Sequence, residues 1–425
     1  MANKLNQIIS RLFNWPRKYW LMAWICCFSF SIGGAAGRSV FFNSLLIMQF
    51  EYYFIALYLL TLREFPPFIK IIQENSLVSI LLFVWVLIVT LAFLNSTPIQ
   101  SATLAQDRYI QTFTHVLFFI FVWDFFNRYK PPLTWLFYTI AASSLYVVAL
   151  FPIEYFSIPD FDGHVWMHDP PGNPNIRHTG YQAEAALGFF FAYFIKKYNL
   201  ELSDYIIVVF LAILWGFIFW LGGRGSIVSI SASAALIWLV LYIKDLNSKM
   251  FLLISLCTIF IGIILSESLS VTYWNGFSGI QQRFITAHSL NELSAKRIDL
   301  WITTWDTVKN SPTFGLGPQG YISMPNRVMG VQPHNIFLQF LIEWGVLGSI
   351  LFLSLLTKAF WAGFKTHILD NKADINRFSL AAGAVITTLS IHSLVDGTYY
   401  HPQPSVYLAI AFAIWIIPSY NKKTI

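Results

Sequence analysis

Apolar runs close to 20 residues recur along the chain, at 18–36, 40–62, 76–95, 108–127, 133–152, 181–196, 203–221, 226–243, 250–266, 336–357, 378–395 and 404–418. A run of that length crosses a bilayer as a helix, because only a helix or a closed barrel satisfies its own backbone there. The pattern predicts an all-α integral membrane protein with about twelve transmembrane helices. The first run follows Arg17-Lys18 like a signal peptide, but no small-residue cleavage site with a soluble domain behind it follows, so it reads as a retained helix. Glu51, His115, Asp124, Glu184 and Glu343 fall inside runs and are expected to face protein or water. Polar sequence gathers in two long connections, 153–180 and 267–335. Within the second, 291–310 predicts a helix with Leu293, Leu300, Trp301, Trp305 and Val308 as its apolar stripe. Two tryptophans on such a stripe suit a helix lying at the membrane interface. With no internal repeat or soluble segment, residues 1–425 read as a single polytopic membrane domain.

Composition agrees. Hydrophobic residues make up 56% and charged residues 11%, with mean hydropathy +0.59; a soluble domain carries roughly 25% charge. Cys26, Cys27 and Cys257 lie in spans and suggest neither a disulfide framework nor a zinc site. The basic residues test the topology. With the N-terminus in the cytoplasm, the inner segments hold 13 Lys and 5 Arg and the outer ones 2 Lys and 7 Arg. Both termini are then cytoplasmic, and 153–180 and 267–335 are periplasmic loops. The outer bias towards arginine changes the picture further. Lysine suffices for topology, whereas a guanidinium grips phosphate or carboxylate in two places. The outer face therefore reads as a site for an anionic ligand, with membrane lipids around it. Nothing in the pattern asks for nucleic acid as a partner.

The candidate chemistry sits on that face. Gly222-Gly223-Arg224-Gly225-Ser226 joins two spans. Its glycines let backbone amides approach an anion, the next helix offers its N-terminus, and Arg224 adds a full charge. A tight hairpin would need only the glycines, and an arginine at membrane depth is costly without an anionic partner. Arg297 begins the helical stretch that runs into the Pro312–Pro318 loop; by spacing alone it is a solvated charge. Arg327 lies in the same connection. His334, between Pro333 and Asn335 at the start of a span, reads by itself as a helix cap. Glu343 lies half a turn round from it and is not expected to orient it. Arg177-His178-Thr179-Gly180-Tyr181 ends the first loop at a helix start and offers a second anion contact. Asp160-Phe161-Asp162, followed by His164, His168 and Asp169, imitates a metal-binding pair, but an exposed acidic loop is the stronger reading and no metal is expected.

Several pieces in order carry a resemblance. They are Gly223-Arg224-Gly225, Arg297-x-x-x-Trp301, Pro312-x-x-Gly315-x-Gly317, His334-Asn335, Gln339 and Glu343-x-Gly345-x-x-Gly348. The turn Asp396-Gly397-Thr398-Tyr399-Tyr400 adds to them. Over 222–348 the chain resembles the O-antigen ligase/polymerase superfamily of bacterial inner membranes. The resemblance implies a fold similar to the GT-C membrane glycosyltransferases, with short helices in the large periplasmic loop. It implies a polyprenyl diphosphate-linked glycan donor, no nucleotide sugar, no cofactor and inversion at the anomeric carbon. Family arginines that hold the diphosphate correspond to Arg224 and Arg297, and more loosely to Arg177. The family histidine corresponds to His334. Gly223, Gly225, Asn335, Trp301 and Arg327 stand in support.

Within that chemistry the expected activity is O-antigen ligation onto lipid A–core. A polymerase joining repeat units and a protein O-oligosaccharyltransferase share the donor and remain alternatives. A lipid-linked sugar transporter is a different class. It usually shows two related halves with polar sites midway along broken helices, whereas here the polar residues gather on one face. The topology predicts that a single cysteine at position 288 reacts with an impermeant reagent from the outer side. Labelling only after permeabilisation would overturn it.

Overall fold

The computed structural model describes residues 16–34, 40–62, 75–96, 102–158, 175–195, 199–268, 276–324, 326–328, 330–369 and 376–418. These residues form helices joined by turns. The helices are α1 Arg17–Gly34, α2 Val40–Thr61, α3 Ser76–Leu94, α4 Ala102–Tyr129, α5 Leu133–Ser157, α6 Ile176–Phe191, α7 Leu202–Leu221, α8 Arg224–Ile243, α9 Ser248–Ser268, α10 Gly276–Thr286, α11 Leu290–Leu293, α12 Arg297–Asn310, α13 Ile336–Phe364, α14 Arg377–His392 and α15 Pro402–Trp415. This is an all-helical integral membrane protein. Each of the twelve predicted spans coincides with a helix.

Among the described residues eight helices are long and apolar enough to cross a bilayer alone. The apolar part of α1 is shorter, and α6, α14 and α15 have 16, 16 and 14 residues. At 1.5 Å per residue these last three reach only about 21–24 Å, against a hydrocarbon core of about 30 Å. They are enclosed by other helices, so their ends meet protein. The centre is α14, whose Ala381, Ala382, Gly383 and Ala384 are buried. Small side chains let α6, α8 and α15 close on it. Gly188 of α6 lies directly over Val385 of α14, with no room for a Cβ.

The ionisable residues within the runs are paired, as their position demanded. Glu51 meets His115 at 2.7 Å, and Asp124 accepts from Tyr58 at 2.7 Å and from Arg128 at 2.6 Å. Glu343 accepts from Arg108 at 3.3 Å and from the Gln319 backbone N–H at 3.0 Å.

The predicted helix over 291–310 is corrected. It is two pieces, α11 and α12, separated where Ala295 and Lys296 both adopt positive φ. Its inward stripe is Leu300, Thr304 and Val308, while Ile302 and Trp305 are exposed. Trp301 ties α12 to the segment before α13: its indole N–H donates to the Pro333 carbonyl at 3.0 Å. The first loop is also shorter than 153–180, since α5 continues to Ser157 and α6 begins at Ile176. Asp160, Asp162, His164, His168 and Asp169 lie outside the described residues.

The 312–320 loop is stitched to a break in α13. Gly345 there has φ +64 and ψ −171, a conformation open essentially to glycine alone. Around it Leu316 N–H donates to the Ile342 carbonyl at 2.7 Å and Val346 N–H to the Pro312 carbonyl at 2.8 Å. A Cβ at Gly345 would run into the Thr313 carbonyl. Gly345→Ala is therefore expected to cost at least about 1–3 kcal/mol from backbone strain alone, read as a lower unfolding temperature in detergent. An unchanged temperature would show that the loop is not seated on the break.

Candidate functional site

Three connections place the polar residues. The turn after α7 is built by Gly222, which ends that helix in the left-handed region, and Gly223, which caps α8. Arg224 is thus the first residue of α8, where unpaired N–H groups and the helix dipole favour an anion. Its guanidinium lies 5.6 Å from the Phe284 ring centroid and has no carboxylate partner among the described residues. Arg177 is in the first turn of α6, and Arg297 is the first residue of α12.

His334 precedes α13 but does not cap it. The cap is Asn335, whose side-chain oxygen accepts from the Phe337 and Leu338 amides at 3.0 and 3.1 Å. Asn335 also donates to the Leu394 carbonyl. His334 itself has φ +51, unusual for a side-chain-bearing residue and a sign of a constrained position. The bond from Trp301 to Pro333 fixes the residue just before it.

These pieces converge on Asp396, in the turn after α14, only 2% exposed. His334 Nδ1 is 2.8 Å from Asp396 Oδ1. Arg177 Nε and Arg297 Nη2 lie 3.7 and 3.8 Å from Oδ2. His334 Nε2 lies 3.2 Å from Arg177 Nη1. A guanidinium can only donate, so Nε2 is the acceptor and Nδ1 carries the proton given to Asp396. The imidazole is therefore neutral, with one tautomer selected, and its basic nitrogen points at an arginine.

The electrostatics follow. Burial alone would raise the Asp396 carboxyl, but the bond from His334 and the charge of Arg177, with His334 and His392 adding, hold it well below the usual range. Burial lowers His334; Asp396 pulls the other way, and Arg177 and Arg297 push it down again. Burial also disfavours the charge on Arg297, against the attraction of Asp396. Two arginines face one carboxylate here and Arg224 acts electrostatically on one of them, an excess of cations in a partly dry setting that suits a multiply charged anion.

Of the residues singled out from sequence, Arg177, Arg297 and His334 share one partner, and Arg224 stands at a helix start beside them. Trp301 and Asn335 brace His334. Arg327 is exposed, and its backbone N–H bonds the Met324 carbonyl; it is not drawn into the cluster. The outer arginines are also not one set. Arg108 is buried against Glu343 and the Tyr400 carbonyl, and Arg283 donates to the Gly222 carbonyl, bracing the Arg224 turn. Sequence reasoning named the Asp396 turn without giving Asp396 a role, and it missed His392 and Glu184 as partners. The available signal was an Asp-Gly turn directly after a span.

Beneath the site, a cavity of about 500 Å³ lies between α3, α4, α13 and α15. Its lining runs along α13 from Phe340 to Ala362 and is almost wholly apolar, with Trp85, Phe119 and Leu356 in its wall and Arg108 and Tyr399 at one end. The 22 helical steps from Phe340 to Ala362 reach about 33 Å, close to the bilayer's apolar depth.

The fold and site define a helical membrane protein whose polar centre gathers two arginines and a neutral histidine on one buried carboxylate. Residues 208–353 match the family model described as O-antigen ligase, and this supports placing the chain in the O-antigen ligase/polymerase superfamily, enzymes of the glycosyltransferase/ligase type. The match runs from α7 into α13, taking in Arg224, Arg297 and His334 and leaving Arg177 and Asp396 outside. A search of curated proteins finds no match to the chain.

Both Asp396 and His334 titrate below their ordinary values, so both stabilise the fold in their basic forms. The His334 contribution is complete above its unfolded value of ~6.5 and is lost as pH falls through its folded value; that of Asp396 is complete above ~3.9 and is lost at still lower pH. The unfolding temperature is expected to fall as pH drops below ~6.5, with a shallower fall at first in His334→Asn. Identical slopes in thermal scans of the two proteins would contradict the burial of a neutral imidazole.

Proposed function

We propose that the protein transfers a glycan from a polyprenyl diphosphate carrier to a hydroxyl of the lipid A–core oligosaccharide, on the periplasmic face of a bacterial inner membrane. The observation that carries this is Arg177 and Arg297 gathered round one buried carboxylate that also orients His334, with Arg224 acting electrostatically on Arg297 from the start of α8. Glycosyl transfer from such a donor expels a diphosphate. That leaving group is already a stable anion and needs no general acid. It needs fixed positive charge where its own charge grows, which arginines supply without a metal or cofactor.

The step balances with the residues present. An acceptor hydroxyl oxygen attacks the anomeric carbon. The bond from that carbon to the phosphate oxygen breaks, and its electron pair leaves with the lipid diphosphate on the arginines. The hydroxyl proton passes to Nε2 of His334, and Asp396 stabilises the imidazolium that forms. A single displacement inverts the anomeric configuration. Nε2 becomes accessible to a hydroxyl when Arg177 turns from it to a donor phosphate, so the diphosphate both binds and uncovers the base. The apolar cavity beneath Arg108 and Tyr399 is suited to the polyprenyl tail.

Two measurements test the reading. A deletion strain should lose long chains from lipid A–core while keeping them on polyprenyl diphosphate; single repeats left on the core would identify a polymerase. His334→Asn should insert normally and keep donor binding but lose at least about a hundredfold in transfer, the scale of a general base. A cap role cannot rescue it, since Asn335 is the cap. Near-wild-type transfer by this variant would remove His334 from the mechanism.

A further inference from the structure

His392 ends α14 one turn before Asp396 and is not used by the mechanism above. It is 4% exposed. Its Nδ1 lies 2.9 Å from Glu184 Oε1 and its Nε2 lies 3.7 Å from Asp396 Oδ2. Its carbonyl accepts from the Val395 and Asp396 amides at 3.0 and 2.9 Å, which sets the turn itself. Both ring nitrogens face carboxylates, and only the imidazolium donates from both. The other groups facing it are Tyr181 of α6, whose ring centroid is 5.3 Å away, and Arg297 of α12, which acts on it electrostatically.

The third contact is steric. A Cβ built on Gly225, in the first turn of α8, would lie 2.6 Å from His392 Nε2. Gly225 has no positive φ, and alanine is otherwise the better helix former there. The tightest obstacle to a side chain here is the imidazole ring, with Val395 Cγ2 next at 3.1 Å. Glu184 lies on α6 seven residues, two turns, after Arg177, hence on the same helix face. The helix that begins with Arg224, the helix whose first turn holds Arg177 and the turn that holds Asp396 therefore meet at one side chain.

We propose that His392, held by Glu184, is a positioning residue for the transfer reaction: it fixes the Asp396 carboxylate that orients His334 and spaces it from the α8 start that presents Arg224. The kinetic part of this rests on the function proposed above; the structural part does not. Without His392, Asp396 loses one of the cations around it and turns more fully to His334. The imidazole then protonates more readily, so the acid limb of the rate profile moves to higher pH.

Two experiments on the full-length protein in lipid nanodiscs test this. The first measures transfer from a polyprenyl diphosphate-linked glycan against pH for wild type, His392→Gln and, as a control, His367→Gln, a buried histidine that bonds the Trp415 carbonyl elsewhere. His392→Gln should lower kcat by about tenfold or more, the scale seen for outer-shell partners of working histidines, with donor KM little changed and the acid limb displaced upward. His367→Gln should leave the limb in place. The second needs no substrate: unfolding temperatures of Gly225→Ala, His392→Ala and the double variant. Gly225→Ala should destabilise the wild type but cost much less once His392 is Ala, because the clash is gone. An unmoved acid limb, or a Gly225→Ala loss of the same size in both backgrounds, overturns the proposal. If wild type transfers nothing from this donor, the proposed function fails, and the double-variant comparison still decides the coupling of His392 to Gly225.

Discussion

One buried anion organises this site. Asp396 is taken out of water on the end of a central helix, which is unfavourable for a lone carboxylate by several kcal/mol. It stays ionised because His334, Arg177, Arg297 and His392 surround it. That requirement explains the arrangement of parts far apart in sequence. The segment before α13 must deliver a hydrogen-bond donor to the carboxylate, and the α6 start, the α12 start and the end of α14 must each bring a basic group within ion-pair distance of it. The charge balance then works in the opposite direction for a substrate. Asp396 compensates only part of the positive charge, and in the proposed reaction the remainder, with Arg224 added, receives a diphosphate.

The apolar bundle makes this possible through small residues at defined places. Ala381 to Ala384 bring α14 into the middle, so that its C-terminal turn arrives where α6 and α8 begin. Gly345 breaks α13 so that the 312–320 loop can bond to it, and Gln319 in that loop joins Glu343 and Tyr400. Glu343 is accordingly tied to Arg108 and not to His334, as its helical phase indicated. The polar interior is thus two neighbouring networks: one around Glu343 that holds loops to helices, and one around Asp396 to which the proposed chemistry is assigned. Arg108 belongs to the first, although the pattern of basic residues assigns it to the same face as the arginines of the second.

What was legible in the sequence was local. A run of about 20 apolar residues spans, a Gly-Gly-Arg turn starts a helix, and an ionisable residue inside a run finds a partner; each depends on a few adjacent positions. What was illegible depends on contacts across the fold. Asp396 lies 62 residues from His334, and no spacing rule pairs them. Trp301 was legible as a member of an apolar stripe, but not as the donor whose indole N–H meets the Pro333 carbonyl. Thr304 is buried where a stripe of large apolar residues was expected, because its hydroxyl is satisfied by the Leu300 carbonyl in its own helix. The short α6, α14 and α15 were legible as apolar but not as enclosed. By spacing alone Arg297 and Arg327 were two charges in one connection; the resemblance singled out Arg297, and the fold adds that it is partnered by Asp396 whereas Arg327 is exposed.

The division of the site between segments has a chemical sense. The stretch matching the O-antigen ligase family contributes Arg224, Arg297 and His334, to which the proposed reaction assigns the cations for a leaving group and the nitrogen for a proton. Taken alone, those residues would conflict: a histidine among arginines is a poor place to accept a proton, because the imidazolium is repelled. Asp396, from outside that stretch, resolves the conflict. It donates nothing and accepts the Nδ1 proton, so it selects the tautomer whose free nitrogen faces the reaction, and its charge offsets the arginines as His334 becomes positive. Arg177, also from outside, holds that nitrogen until an anion competes for its guanidinium. A base that is neutral at rest and stabilised when charged thus requires residues from both parts of the chain, and α14, which touches α6 and α8 together, is the element that joins them.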